Sequence, residues 1–154
     1  MEGNVVSGER CIPAGPAAIF DLVADASRHH EIDGSGLVRD VKPGAPQKLE
    51  LGSTFGMSMK MGFGYSTVNT VIEFEEDRRI AWQTNFRGFI GKFVGGRIWR
   101  YELEPVAGGT LVRESWDISQ DHQRAMLRLG PVAKQNAESI QKTLEKIEGI
   151  VIKE

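Results

Sequence analysis

Only one cysteine, Cys11, occurs among the 154 residues, so no disulfide can form within the chain and a reducing compartment is expected. Basic runs are equally scarce. The 19 lysines and arginines are outnumbered by 21 acidic residues, and the densest basic cluster, Arg78-Arg79, falls in a turn. A formal charge of -2 argues against a nucleic-acid or anionic-membrane partner, since both require a basic surface. No apolar run approaches membrane-spanning length, and "MEGNVVSGER" holds no apolar segment of signal-peptide length. Stable membrane insertion is therefore not expected, and the expected location is cytoplasmic. There are three histidines. His29 and His30 stand beside Glu31 and Asp33 but repeat no known ligand spacing, so they read as a solvated helix end and no metal is expected. "GFIGKF" is not a phosphate loop, because neither Ser nor Thr follows Lys92. No serine sits in a nucleophile elbow, and no carboxylate pair has a hydrolase arrangement. Cys11 lacks a flanking basic-histidine arrangement and reads as a small buried residue. No cofactor is expected, and the oligomeric state is left open. The length fits one domain over 1–154, enough to bury a substantial core.

What is present begins with "NVVSGERCI", which alternates as a strand ending at Ile12. Pro16 suits a first helical turn, and Ile19, Phe20, Leu22 and Val23 give that helix an apolar face fading at Asp25. "SRHHEI" offers a second short helical turn, "DGSG" breaks the chain, and "LVRDVKP" reads as a brief strand. A period of two then takes over. Leu49, Leu51, Phe55, Met57, Met59 and Met61 share one parity, so three of the five methionines face one side of a half-buried strand. In the next strand Val68, Thr70, Ile72 and Phe74 are predicted inward, with Asn69 and Glu73 outward. Ile80, Trp82, Thr84 and Phe86 share a face, as do Trp99, Tyr101 and Leu103, and finally Val112, Glu114, Trp116 and Ile118. After Ser119 the period turns helical. Met126, Leu129, Ala133, Ala137, Ile140, Leu144, Ile147 and Val151 form one stripe, interrupted at Gly130-Pro131 by a kink or by a short helix preceding a long one. The order predicts an α+β domain whose antiparallel sheet is covered by the C-terminal helix.

The order of elements, with "PAGPAAIFDLVADASRHHEID", "LELGSTF", "VIEFEEDRRIAWQT" and "GGTLVRESWD", resembles the polyketide cyclase/dehydrase and lipid-transport group of the START-like (SRPBCC) superfamily, over nearly the whole chain. The resemblance implies a helix-grip fold: a curved seven-stranded antiparallel sheet wrapped around the long C-terminal helix, with two short helices after the first strand. It also implies a cavity between sheet and helix. The superfamily spans carriers, enzymes and receptors, so the fold alone does not name an activity.

If such a cavity exists, Met57, Met59 and Met61 suit its wall, because methionine adapts to varied ligand shapes; they equally suit a loosely filled core. Trp82, Trp99, Tyr101 and Trp116 add aromatic area with polar handles. Ala133 and Ala137 leave room on the helix. Phe63, Phe86, Phe89, Ile90 and Phe93, set among glycines, form either a hydrophobic entrance or a plug. Glu114 is an inward carboxylate whose pKa burial would raise unless a partner such as Arg10, of ambiguous facing, pairs with it. The leading expectation is a carrier of a hydrophobic small molecule, lipid or polyketide-like. The alternative is a cyclase or dehydratase using Glu114 with Tyr101 or His30 as its acid-base pair. The phenylalanine-rich loops leave room for a third reading, a protein-interaction module.

Overall fold

A computed structural model describes residues 3–35, 38–41, 48–60, 64–86 and 89–153; of 38–41, 57–60, 64–66 and 89–90 it describes the backbone alone. The chain opens with β1 (Val5–Ile12). It continues through α1 (Pro16–Val23), a 3-10 turn (Ala26–Arg28) and the four-residue α2 (His29–Ile32). Pro16 occupies the start of α1, where its missing N–H costs nothing. Ile19, Phe20, Leu22 and Val23 are all buried, so the whole apolar face of that short helix is spent on the core.

Next come β2 (Val38–Val41), β3 (Thr54–Lys60), β4 (Gly64–Glu75), β5 (Arg79–Phe86), β6 (Gly95–Val106) and β7 (Gly109–Asp117). All neighbours pair antiparallel in the order β1-β7-β6-β5-β4-β3-β2. The short β2 lies at the edge, its register broken between Val38 and Asp40. Six longer strands, β1 and β3 to β7, thus form an open antiparallel sheet, and the four-residue β2 adds to its edge beside β3. β7 returns to β1 rather than to a distant edge, and Gly8 sits opposite Glu114.

The expected alternation holds on β5, β6 and β7 but not on β4. There Thr67, Asn69 and Val71 are buried, while Val68 and Thr70 are only half-buried. The reason is a bulge: Val71 pairs with Trp82 and Glu73 with Ala81, so Ile72 is an extra residue. Beyond it Phe74 packs on the core, edge-on to Phe20 at 5.5 Å. Reading Phe74 backwards through an uninterrupted strand therefore puts Asn69 on the wrong face. Cys11 also departs from expectation. It is exposed, opposite Leu111 on the outward parity of β1.

At the C-terminus the interruption resolves into two helices, α3 (Arg124–Leu129) and α4 (Val132–Val151). Ile140, Leu144, Ile147 and Val151 are buried as the stripe predicts. Met126 and Leu129 are not: they are 59% and 91% exposed, and Leu127 fills the core instead. The break at Gly130-Pro131 resets the helical phase, so one stripe cannot run through it. α4 packs on β1 and β7, so closely at Gly8 that a Cβ there would lie 2.7 Å from the Ile140 side chain. Arg10 faces α4 as well. Its Nη2 reaches Glu148 Oε2 at 2.8 Å, so it is no partner of Glu114.

Candidate functional site

Between the inner face of the sheet, α2 and α4 lies a cavity of about 190 Å³. β5 contributes Trp82, Thr84 and Phe86; β6 contributes Arg97, Trp99 and Tyr101; β7 contributes Glu114 and Trp116. These residues alternate along their strands, which is why one wall collects them. Opposite them α4 offers Val132, Asn136, Ser139, Ile140 and Thr143, while α2 and the residues after it offer His29, Ile32, Asp33 and Ser35. The two sides meet at Gly34, whose amide donates to Thr143 Oγ1 at 2.8 Å. A Cβ at Gly34 would overlap the backbone of α4 at Ser139 and Thr143.

Glu114 is 4% exposed. The Tyr101 hydroxyl donates to its Oε2 at 2.8 Å, and its Oε1 has no partner among the described residues. Burial pushes the carboxyl up to about 8; the Tyr101 bond opposes that rise and the charge of Asp33 adds to it. At neutral pH the group is consequently a neutral acid that both accepts from Tyr101 and has a proton to give. Desolvation first, then the neighbouring Glu114 charge, raises the Tyr101 phenol well above its ordinary value, which keeps it a donor.

His29 is buried, whereas His30 is exposed. The His29 ring stacks on Trp82, with centroids 4.8 Å apart and planes 21° apart. Trp82 in turn tilts against Tyr101 at 5.7 Å, and Phe55 meets both His29 and Trp82 edge-on. A row of rings thus runs from α2 across β5 to β6, ending at the Glu114 carboxyl. His29 Nε2 lies 2.7 Å from the Val23 carbonyl oxygen, and Nδ1 has no partner. Burial lowers the imidazole pKa to about 4, against the smaller raising effects of the Val23 bond and of Asp25 and Asp33. The ring is therefore neutral near pH 7, with Nε2–H donating to Val23 and Nδ1 left as an acceptor.

Asn69, Thr84 and Arg97 are engaged by their own neighbours. Thr84 donates to Asn69 Oδ1 at 2.7 Å, and Asn69 Nδ2 reaches the Phe55 carbonyl and Thr67 Oγ1, each at 3.3 Å. Arg97 Nε donates to the fully buried Asp121 at 3.0 Å, and its guanidinium lies 5.8 Å from the centre of the Phe86 ring.

Of the residues singled out in the sequence, Trp82, Trp99, Tyr101, Glu114, Trp116 and Phe86 line this cavity. His30 does not, and His29 stands there in its place. Ala133 and Ala137 pack against the core beside the cavity, while Val132 and Asn136, one position earlier, face it. Phe93 is exposed. Met57 and Met59 lie in β3 opposite Thr67 and Tyr65, with their side chains outside the described part; Met61 and Phe63 fall outside the described residues altogether. Phe89 and Ile90 belong to a short 3-10 turn, Phe89–Lys92, described by backbone only. Asn69, Arg97, Asp33 and Thr143 were not singled out. For Asn69 a signal existed, since Thr67, Asn69 and Val71 alternate when β4 is read from its start.

The only clusters of possible metal-ligating groups among the described residues consist of the surface acids Asp21, Glu76 and Asp77, away from this cavity. No described helix is long and apolar enough to cross a membrane.

The family described as polyketide cyclase / dehydrase and lipid transport matches residues 5–149. The uncharacterized protein Rv0088 of Mycobacterium tuberculosis is 34% identical over 145 residues, covering 87% of this chain. This chain spans only 58% of the length of that relative. Among solved structures, protein CV1439 from Chromobacterium violaceum superposes with a TM-score of 0.73 at 16% identity, covering 96% of each chain. Ara h 8.0201 does so with a TM-score of 0.70 at 14% identity, covering 97% of this chain and 98% of its own. At such identities these structures show a shared fold and nothing of shared ligands.

Proposed function

This chain belongs to the polyketide cyclase / dehydrase and lipid transport family, and on that footing we propose that it binds and carries a hydrophobic small molecule in the cavity between sheet and α4. In this reading the sheet and α4 act as a helix-grip. The ligand's apolar body lies along the His29–Trp82–Tyr101 row, and a polar end meets Glu114. One observation carries the reading: a cavity wall of rings in contact ends in a buried carboxyl, one of whose oxygens has no partner among the described residues. An apolar pocket with few polar groups selects for shape and for one oriented hydrogen bond. A carbonyl or hydroxyl at the ligand's end would satisfy Glu114 Oε1, whose lack of a partner is costly in the empty protein.

A second reading is favoured by the same carboxyl. An acid displaced to about 8 is matched to giving a proton near neutral pH. Glu114 would then give its proton to a substrate oxygen, a carbonyl becoming a hydroxyl in an aldol-type cyclisation or a hydroxyl leaving as water in a dehydration, and the carboxylate so formed would take back the proton lost from the reacting C–H, while the Tyr101 bond holds the carboxyl in place. His29 takes the place of His30 in this version, although its low basicity suits accepting a hydrogen bond better than removing a proton.

Calorimetric titration with a panel of fatty acids and flat aromatic ketones tests both. Under the carrier reading Glu114→Gln keeps affinity within roughly tenfold, about 1.4 kcal/mol, because glutamine preserves shape and hydrogen bonding. Under the enzyme reading binding survives and turnover falls by about 10²–10⁴-fold. No binding from either class by the unaltered chain refutes the cavity's role.

A further inference from the structure

Total charge conceals how the charges are distributed. Residues 89–97 and 122–137 carry Lys92, Arg97, Arg124, Arg128 and Lys134, and none of the chain's 21 acidic residues. The fold brings these two segments together. The His122 amide donates to the Gly95 carbonyl at 3.0 Å, and Arg97 reaches Asp121. A Cβ at Gly96 would overlap the Gln120 carbonyl, so the contact is close. Asp121, the acid that separates the segments from charge segregation in full, is buried and engaged with Arg97.

This cationic face also exposes apolar side chains. α3 buries Leu127 and turns Met126 and Leu129 outward beside Arg124 and Arg128, which are exposed too. Phe93 is 58% exposed next to the exposed Lys92. Two exposed apolar side chains on one short helix with two exposed cations match the interface of a bilayer, where cations meet headgroups and apolar tips reach the acyl boundary. The same segments reach the cavity, since Arg97 and Val132 line it.

We propose that the face formed by α3 and residues 91–97 docks transiently on an anionic lipid bilayer, with Arg124 and Arg128 at the headgroups and Met126 and Leu129 inserted shallowly. The proposal does not depend on what occupies the cavity. It revises the expectation drawn from net charge, because a bilayer responds to one face of a protein rather than to its total. An acidic protein is the other partner such a face fits; the exposed Leu129 and Met126 favour the bilayer.

The test is co-sedimentation of the full chain with phosphatidylcholine vesicles, with and without about 30% phosphatidylglycerol. Binding is expected only to the anionic vesicles and should weaken as salt shortens the screening length. Arg124→Glu with Arg128→Glu should reduce partitioning by at least about tenfold, since each cation near the surface contributes on the order of 1 kcal/mol. Leu129→Ser should weaken it several-fold with the charges intact. Lys153→Glu, an exposed charge change outside this face, should leave binding within about twofold. Circular dichroism confirms that each variant is folded. Failure to bind anionic vesicles overturns the proposal, whether or not an acidic protein binds. So does equal binding to both vesicle types, or equal loss from Arg124→Glu/Arg128→Glu and Lys153→Glu.

Discussion

Replacing Glu114 by glutamine should change how stability depends on pH, by an amount that follows from the displacement of this one group. In the folded chain the Glu114 carboxyl is held near 8, from an ordinary 4.5, and the His29 imidazole near 4, from 6.5. Between pH 4.5 and 8 the folded state keeps a proton on Glu114 that the unfolded chain has released, so this group's contribution falls as pH rises. Between pH 4 and 6.5 the unfolded chain protonates His29 and the folded state does not, so the histidine contribution rises with pH. Each slope is about 1.4 kcal/mol per pH unit at most. Below pH 6.5 they oppose each other; above it only Glu114 acts. The native protein should therefore lose about 2 kcal/mol between pH 6.5 and 8 relative to Glu114→Gln, which has no proton to release. Other carboxylates and histidines are common to both proteins and cancel in the difference. Urea unfolding at constant ionic strength, extrapolated linearly at each pH, measures that difference. Parallel stability curves for the two proteins from pH 6 to 9 would refute the assignment of a buried, protonated acid.

Three further outcomes are expected. His29→Gln should gain stability relative to the native chain as pH drops from 6.5 towards 4, on the order of 2–3 kcal/mol, because the unfolded-state protonation of histidine is gone; unfolding at pH 4.5 and 7 reads the difference. Gly34→Ala should cost about 1–3 kcal/mol by forcing the residues after α2 off α4, and a thermal melt that does not move contradicts the close approach. Thr84→Val should cost a similar amount, about 1–3 kcal/mol, by leaving the buried Asn69 oxygen without its donor. By comparison Leu129→Ser, at a solvent-facing position, should stay within about 0.5 kcal/mol in the same denaturation assay.

The strands that carry most of the cavity were legible because their alternation is uninterrupted. Trp82, Trp99, Tyr101, Glu114 and Trp116 follow a period of two on β5, β6 and β7, and that period alone puts them on one face. Where the period breaks, parity gives the wrong answer. The extra residue at Ile72 turns Asn69 inward, and the Gly130-Pro131 break leaves Met126 and Leu129 off the buried stripe. A four-residue helix holds too little pattern to set its own phase, so nothing local distinguished His29 from His30. The packing of α2 against Trp82 made that choice. The cationic face was hidden for a different reason. Its two halves are separated in sequence by most of β6 and the whole of β7, and they meet through tertiary contacts such as Gly95–His122.

The chain contains three tryptophans, and all three line the cavity: Trp82, Trp99 and Trp116. Its indole fluorescence therefore comes from the cavity wall alone, with Trp99, half-buried, the most exposed of the three. Trp116 is 1% exposed and Trp82 7%, so the emission of the unliganded protein should lie to the blue of tryptophan in water. A bound chromophore that absorbs in the near ultraviolet would quench it by energy transfer over distances of a single ring contact. A saturated chain would leave the intensity largely intact and shift the band. The molecule is thus labelled at the proposed binding place, and light of one wavelength would sort candidate ligands into flat conjugated ones and aliphatic ones before any is identified.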